Sequence, residues 1–267
     1  MTTPRPKREP LDLAVELERA VERNEFGLEY QPIIDLANGV VAGVEALLRW
    51  RHPLMGTIPP GDYLPIAERT GLIVPIGRRV LETSVRQLRT WHLGFARMQS
   101  LALHVNVSPN ELAQPGFVGW VAETLKAANV PLGALTVELG PGAAAHADAC
   151  TALRDLGVDL ALEDFGIGDS MEQLKLLPYS QVKLHPSVTG LTDGAREEVD
   201  LASSLIGVAR MRRLVTIGKG VETRDQARRL AAIGCDLGQG FLYSKPLGPE
   251  GIGTLLARGR VPVAGFN

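Results

Sequence analysis

A closed (β/α)8 barrel, TIM-like and of the α/β class with one antiparallel strand, is the fold this sequence predicts. Three observations carry it: about eight short apolar runs, amphipathic segments between them, and one gap too short to hold a helix. Strands are expected at 28–33, 41–48, 101–107, 134–139, 158–163, 181–184, 213–217 and 237–243. Helices such as 76–91, 118–128, 197–212 and 224–233 fall between them. Strands separated by helices pair in parallel, and eight of them close into a barrel. Only residues 35–40, with Asn38-Gly39, separate the first two strands, which suits a hairpin and makes one strand antiparallel. Ahead of them Leu13, Leu17, Ala20 and Val21 put one apolar stripe on a short helix ending near Asn24. Residues 1–10, Pro-rich and charged, are expected as a disordered arm, 11–258 as a single domain and 259–267 as a tail.

The composition agrees. A chain of 267 residues is within reach of one α/β barrel, and 45% apolar residues supply a large core. A net charge of −2 gives no support to a nucleic-acid or membrane surface. Cys150 and Cys235 are far apart without metal-ligand spacing, as expected of reduced thiols in a cytosolic protein. The opening MTTPRPKREP has basic residues but no apolar run behind them, so it does not read as a signal peptide. No apolar run reaches the roughly 18 residues that span a bilayer. A soluble, cytoplasmic protein is the expectation.

Polar residues recur where the strands end. Glu45, Asn106, Glu138, Glu163 with Asp164, Lys183, Lys219 with Glu222, and Gln239 each close or follow one apolar run. One such residue alone is an ordinary solvated charge. A whole series opens onto the face where parallel barrels build their sites. Several carboxylates with a carboxamide suit an oxygen-ligand site for a hard divalent cation. Arg49, four residues after Glu45, could supply a forked phosphate contact. Trp50, Trp91 and Trp120 read as core or rim aromatics, and His52 and His104 as packed histidines in apolar surroundings.

The segments QPI at 31–33, EALLRWRHP at 45–53, PIAERTGLI at 65–73, VNVS at 105–108, EDFGIG at 163–168, GVET at 220–223 and QGFLYSKPL at 239–247 carry a resemblance. In order and spacing they resemble the EAL family of cyclic-di-GMP phosphodiesterases, over roughly residues 11–255. The resemblance implies an eight-stranded barrel whose first strand is antiparallel. It also implies metal-dependent hydrolysis of one phosphodiester bond of cyclic-di-GMP. By this resemblance Glu45, Asn106, Glu138, Glu163 and Asp164 match metal ligands, with magnesium or manganese as the cofactor if any is retained. Lys183 matches a basic residue near the attacked phosphate, and Glu222 belongs to the catalytic set. Gln31, Leu48, Arg49, Gln239 and Phe241 match positions near the nucleotide.

Several positions depart from that pattern. Glu163-Asp164 stands where the family has two aspartates, and His185 where it has a third. Lys219 replaces a glutamate thought to act as general base, and a lysine cannot serve so at neutral pH unless its pKa falls greatly. Pro141 replaces a glutamate that anchors the loop after Asp164, and that loop has itself changed. Five carboxylates (Glu45, Glu138, Glu163, Asp164, Glu222) face Lys183 and Lys219, a formal −3. Lys219 is therefore expected to pair with Glu163 or Asp164 as a fixed cation. Three functions stay open: a catalytically impaired cyclic-di-GMP receptor or signalling regulator, a protein-interaction scaffold that binds no nucleotide, and an active phosphodiesterase. A protein partner is expected; a homodimer is open, and so is the absence of any metal.

Overall fold

The computed structural model describes residues 12–191 and 196–261, so the arm expected at 1–10 lies outside the described residues. Among the described residues nine strands form one sheet. They are β1 (Phe26–Asp35), β2 (Val41–His52), β3 (Gly56–Ile58), β4 (Ala102–Val107), β5 (Leu135–Leu139), β6 (Asp159–Phe165), β7 (Gln181–Leu184), β8 (Val215–Gly218) and β9 (Leu237–Gly238). Eight close into a ring in the order β1-β9-β8-β7-β6-β5-β4-β2, because β1 also pairs with β2. β3 stands outside the ring as a short antiparallel addition to β2. β1 is antiparallel to both of its neighbours in the ring, and every other ring pairing is parallel.

The local sequence explains the one reversal. Between β1 and β2 the Asp35 carboxylate accepts from Ala37 N at 2.8 Å and Asn38 Nδ2 at 2.9 Å. Asn38 Oδ1 in turn accepts from Val40 N at 2.8 Å, and Gly39 takes the left-handed conformation (φ 74°) that the turn needs. Elsewhere the crossovers are helical, with Ile73–Gly94 and Phe117–Ala127 flanking β4, and Arg196–Met211 and Arg224–Ala232 flanking β8. Along β4, Leu103, Val105 and Val107 turn one way into the apolar shell, whereas His104 and Asn106 turn inward. Val80, Leu81, Val85 and Leu88 bury the apolar face of the long helix in the same core. Trp50 and Trp91 are buried, and the Trp91 ring meets Tyr30 edge-on at 5.0 Å. Trp120 packs against the core beneath the Arg78 guanidinium, so all three tryptophans are structural.

Two expected strands are shorter than the sequence indicated. Residues 239–243 do not extend the eighth ring strand; only Leu237 and Gly238 pair in the ladder. Beyond them the backbone bonds to the loop before it: Val221 N donates to Gln239 O, and Leu242 N to Val221 O, both at 3.0 Å. Gly240 permits this, since a Cβ there would stand 2.1 Å from Val221 O. Arg213 likewise leaves the strand expected at 213–217, because it takes a left-handed conformation (φ 60°) after the helix, and β8 begins at Val215. The segment expected as a tail begins as ordered chain, with Val261 N donating to Gly39 O at 2.8 Å.

Candidate functional site

The inward-facing polar residues converge at one mouth of the barrel. Lys183, on β7, is 0% exposed. Its ammonium lies 2.8 Å from Glu45 Oε2, 2.5 Å from Glu138 Oε1 and 2.8 Å from Glu163 Oε1. Glu45, on β2, also accepts from Asn106 Nδ2 at 2.9 Å and from Gln239 Nε2 at 2.7 Å. Next to it β6 breaks register between Leu162 and Phe165, and Asp164 takes a positive φ of 53°. Such a bulge re-aims successive side chains. Here it lets both Glu163 and Asp164 reach the mouth, where both accept from the Lys219 ammonium, Asp164 Oδ1 at 3.0 Å.

Burial and charge set the protonation of this cluster. For Glu45 burial opposes ionisation, but Lys183 and the hydrogen bonds from Lys183, Gln239 and Asn106 outweigh it and hold the pKa at about 2. Burial pushes the Glu138 carboxyl well above the usual carboxylate range; the Glu45 and Glu163 charges add to the rise and Lys183 opposes it. For Lys183 burial disfavours the charge, yet Glu138, Glu45 and Glu163 raise its pKa well above the usual lysine value. Lys219 behaves alike: burial lowers its pKa, Glu163 more than restores it, and the ammonium stays charged. A lysine so held cannot take a proton from water.

Two participants escaped the sequence reading. His104, expected in apolar surroundings, instead places Nδ1 3.0 Å from Glu138 Oε1, because it shares the inward face of β4 with Asn106 two residues on. Burial, then the Lys183 charge, drives its pKa down to about 3, so the ring is neutral. Glu111 is the second. It caps the turn after β4, its Oε2 accepting from Ser108 N at 2.9 Å and Ser108 Oγ at 2.8 Å. Burial pushes its pKa up to about 7; the Ser108 bonds lower it and Glu68 raises it further. The spacing Ser108-x-x-Glu111 was a legible capping signal. His52 is a packed histidine, but on polar partners: Nε2 lies 3.3 Å from Glu16, and Nδ1 accepts from Leu54 N and Met55 N.

The remaining predicted residues line two adjoining clefts. One, of about 420 Å³, includes Leu48, Arg49, Asn106, Glu111, Glu138 and Asp164. Arg49 borders it, but its Nε donates to Glu29 at 2.8 Å. The other, of about 270 Å³, includes Gln31, Glu45, Lys219, Glu222, Gln239 and Phe241. Gln31 donates to Ser244 O at 3.1 Å, and Phe241 is 58% exposed with the Lys245 ammonium 5.7 Å from its ring centre. Glu222 is exposed at the rim, where its N–H donates to Gln226 Oε1 just before the Thr223 capping box.

The sequence profile of the EAL domain matches residues 14–246. The chain belongs to the EAL domain family. It is 36% identical over 248 residues to MucR of Pseudomonas aeruginosa, a bifunctional diguanylate cyclase/cyclic di-GMP phosphodiesterase. That alignment covers 91% of this chain but only 36% of MucR. The structure of the MucR phosphodiesterase in complex with c-di-GMP superposes with a TM-score of 0.82 at 35% identity, covering 91% of this chain and 100% of that one. The FimX EAL domain of Pseudomonas aeruginosa bound to c-di-GMP follows at 0.79 and 26%, covering 89% and 97%. Among the described residues no helix is long and apolar enough to cross a membrane.

An EAL barrel is generally metal-dependent, and one half of this mouth keeps donors for a hard cation beside the Lys183 ammonium, which contacts all three of its carboxylates. Glu45, Glu138 and Glu163 bring carboxylate oxygens within 4.8 Å of one another. Glu138 Oε2 is buried without a hydrogen-bond partner, and the Asn106 carboxamide stands beside Glu45. The Glu163–Asp164 half does not fit, because the Lys219 ammonium fills it. His185 adds no ligand there: its Nδ1 lies 2.7 Å from Ser187 Oγ and accepts from Ser187 N at 3.2 Å, capping its own short helix. The loop after Asp164 is tied to itself, with Gly166 N donating to Ser170 Oγ at 3.0 Å.

Proposed function

We propose that the protein is a cytoplasmic, catalytically impaired cyclic-di-GMP receptor that passes the signal to a protein partner. One observation carries the loss of catalysis. The residue at the general-base position is Lys219, and its charge is locked onto Glu163 and Asp164. Losing general-base help alone slows such a reaction by about 10²- to 10⁴-fold. Retention of binding is supported by the two clefts, which bring Arg49, Leu48, Gln31, Gln239 and Phe241 to one mouth. It is supported also by the c-di-GMP present in the MucR and FimX complexes. Lys183 and Glu222, the remaining members of the catalytic set, take other tasks here: Lys183 neutralises buried carboxylates, and Glu222 lies exposed at the rim.

A nucleotide-free scaffold is the second reading, and one geometric fact favours it. Arg49 is already engaged by Glu29, and Gln239 is turned onto Glu45 rather than outward. Calorimetric titration with cyclic-di-GMP, in magnesium and again in chelator, separates these readings, with chromatography of the recovered nucleotide. The expected result is binding in both conditions with the cyclic dinucleotide recovered intact. Absence of binding in both would replace the receptor by the scaffold. Quantitative conversion to the linear dinucleotide would make the protein an active phosphodiesterase.

A further inference from the structure

We infer that the barrel mouth takes one divalent cation and that Lys219 excludes a second. Glu163 is the bridge between two cationic positions. Its Oε1 faces Lys183 beside Glu45 and Glu138, and its Oε2 holds Lys219 together with Asp164. The two positions differ in what they still lack. At the Glu163–Asp164 position the ammonium is enclosed, its side chain 24% exposed, and it contacts both carboxylates. At the inner position three carboxylates share a single ammonium, and Glu138 Oε2, on a side chain with no exposure, has no partner. A buried carboxyl oxygen without a partner is costly, and a cation bound beside it would remove that cost.

Charge gives the stoichiometry. With every carboxyl counted as ionised, Glu45, Glu138, Glu163 and Asp164 set against Lys183 and Lys219 leave a formal −2, the charge that one divalent ion removes. In the Lys219→Glu variant the same count gives −4, enough for two ions sharing Glu163. Glu45, Asn106, Glu138 and Glu163 would hold the single ion of the parent, with any proton on Glu138 displaced. The Lys219 ammonium, bound to one of those ligands, repels the incoming ion and weakens it.

This inference concerns the same mouth as the receptor reading and rests on it only for location. It is tested with manganese alone, so either can fail while the other stands. Bound manganese is counted by equilibrium dialysis, and its pairing is read from the electron paramagnetic resonance spectrum. The parent is expected to bind one ion per chain with an isolated-ion spectrum. Lys219→Glu is expected to bind two, with the broadened spectrum of a close spin pair. Lys219→Met is expected to bind manganese about tenfold more tightly than the parent or better. A parent that binds two ions or none would overturn the inference, as would a folded Lys219→Glu that still binds one. Should Lys219→Glu fail to fold, an unchanged affinity in Lys219→Met overturns it instead.

Discussion

Lys183 contacts three carboxylates with no exposed surface, and the neutral His104 beside it follows from the same crowding. A buried charge is tolerated only when paired, so the identity of each neighbour is constrained by the others. Glu111 is the opposite case, since two Ser108 donors do not offset its burial. Its folded pKa of about 7 lies above the ordinary 4.5, so the native state binds its proton more tightly than the unfolded chain does. That contribution is fully present below pH 4.5 and is lost as pH rises through 7, up to about 3 kcal/mol. A Glu111→Gln variant, which keeps an acceptor for Ser108 and carries no titrating group, should lose this part of the pH dependence. Urea unfolding of parent and variant at pH 5 and pH 8 checks it. Equal pH slopes in the two proteins would show that Glu111 titrates normally.

At the level of elements, the short apolar runs that form the strands were legible, and so were the polar residues at their ends. β7 falls where the pattern placed it, at Gln181–Leu184. The hairpin was legible as well, because Asn38-Gly39 states its own turn chemistry. What escaped depends on contacts remote in sequence. His104 looked apolar because its neighbours are; only the pleat, which puts it beside Asn106, reveals the site. Likewise 239–243 reads as a continuing strand, yet the backbone of Val221, on a preceding loop, captures it. The pairing of Lys219 was foreseen from charge, but the bulge in β6 that gives it two carboxylates was not. Gly240 tests the capture of that loop. Gly240→Ala drives a methyl into the Val221 backbone and should cost about 1–3 kcal/mol, read as a lower denaturant midpoint. A variant as stable as the parent would mean that the 220–221 loop yields freely.

For the whole molecule the consequence is a barrel whose centre carries most of its own counter-charge. Every ring strand from β4 to β7 sends at least one charged or amide group into the mouth. If these carboxylates depended on metal ions, the ring would open where they repel one another. Two lysines from β7 and the end of β8 hold them instead, so folding should not require a cation. A single ion present at 100 times its Kd adds about 2.7 kcal/mol. For a chain of this size that amounts to a Tm rise of at most about 10 °C. Calorimetric melting in excess chelator should therefore show one cooperative transition, shifted down by no more than this from the value in magnesium at about 100 times its Kd. Loss of near-ultraviolet dichroism in chelator at 25 °C would show that Lys183 and Lys219 do not hold the mouth together. Identical melting in magnesium and chelator would remove the cation from the inner position, leaving the two ammonium groups as its whole counter-charge.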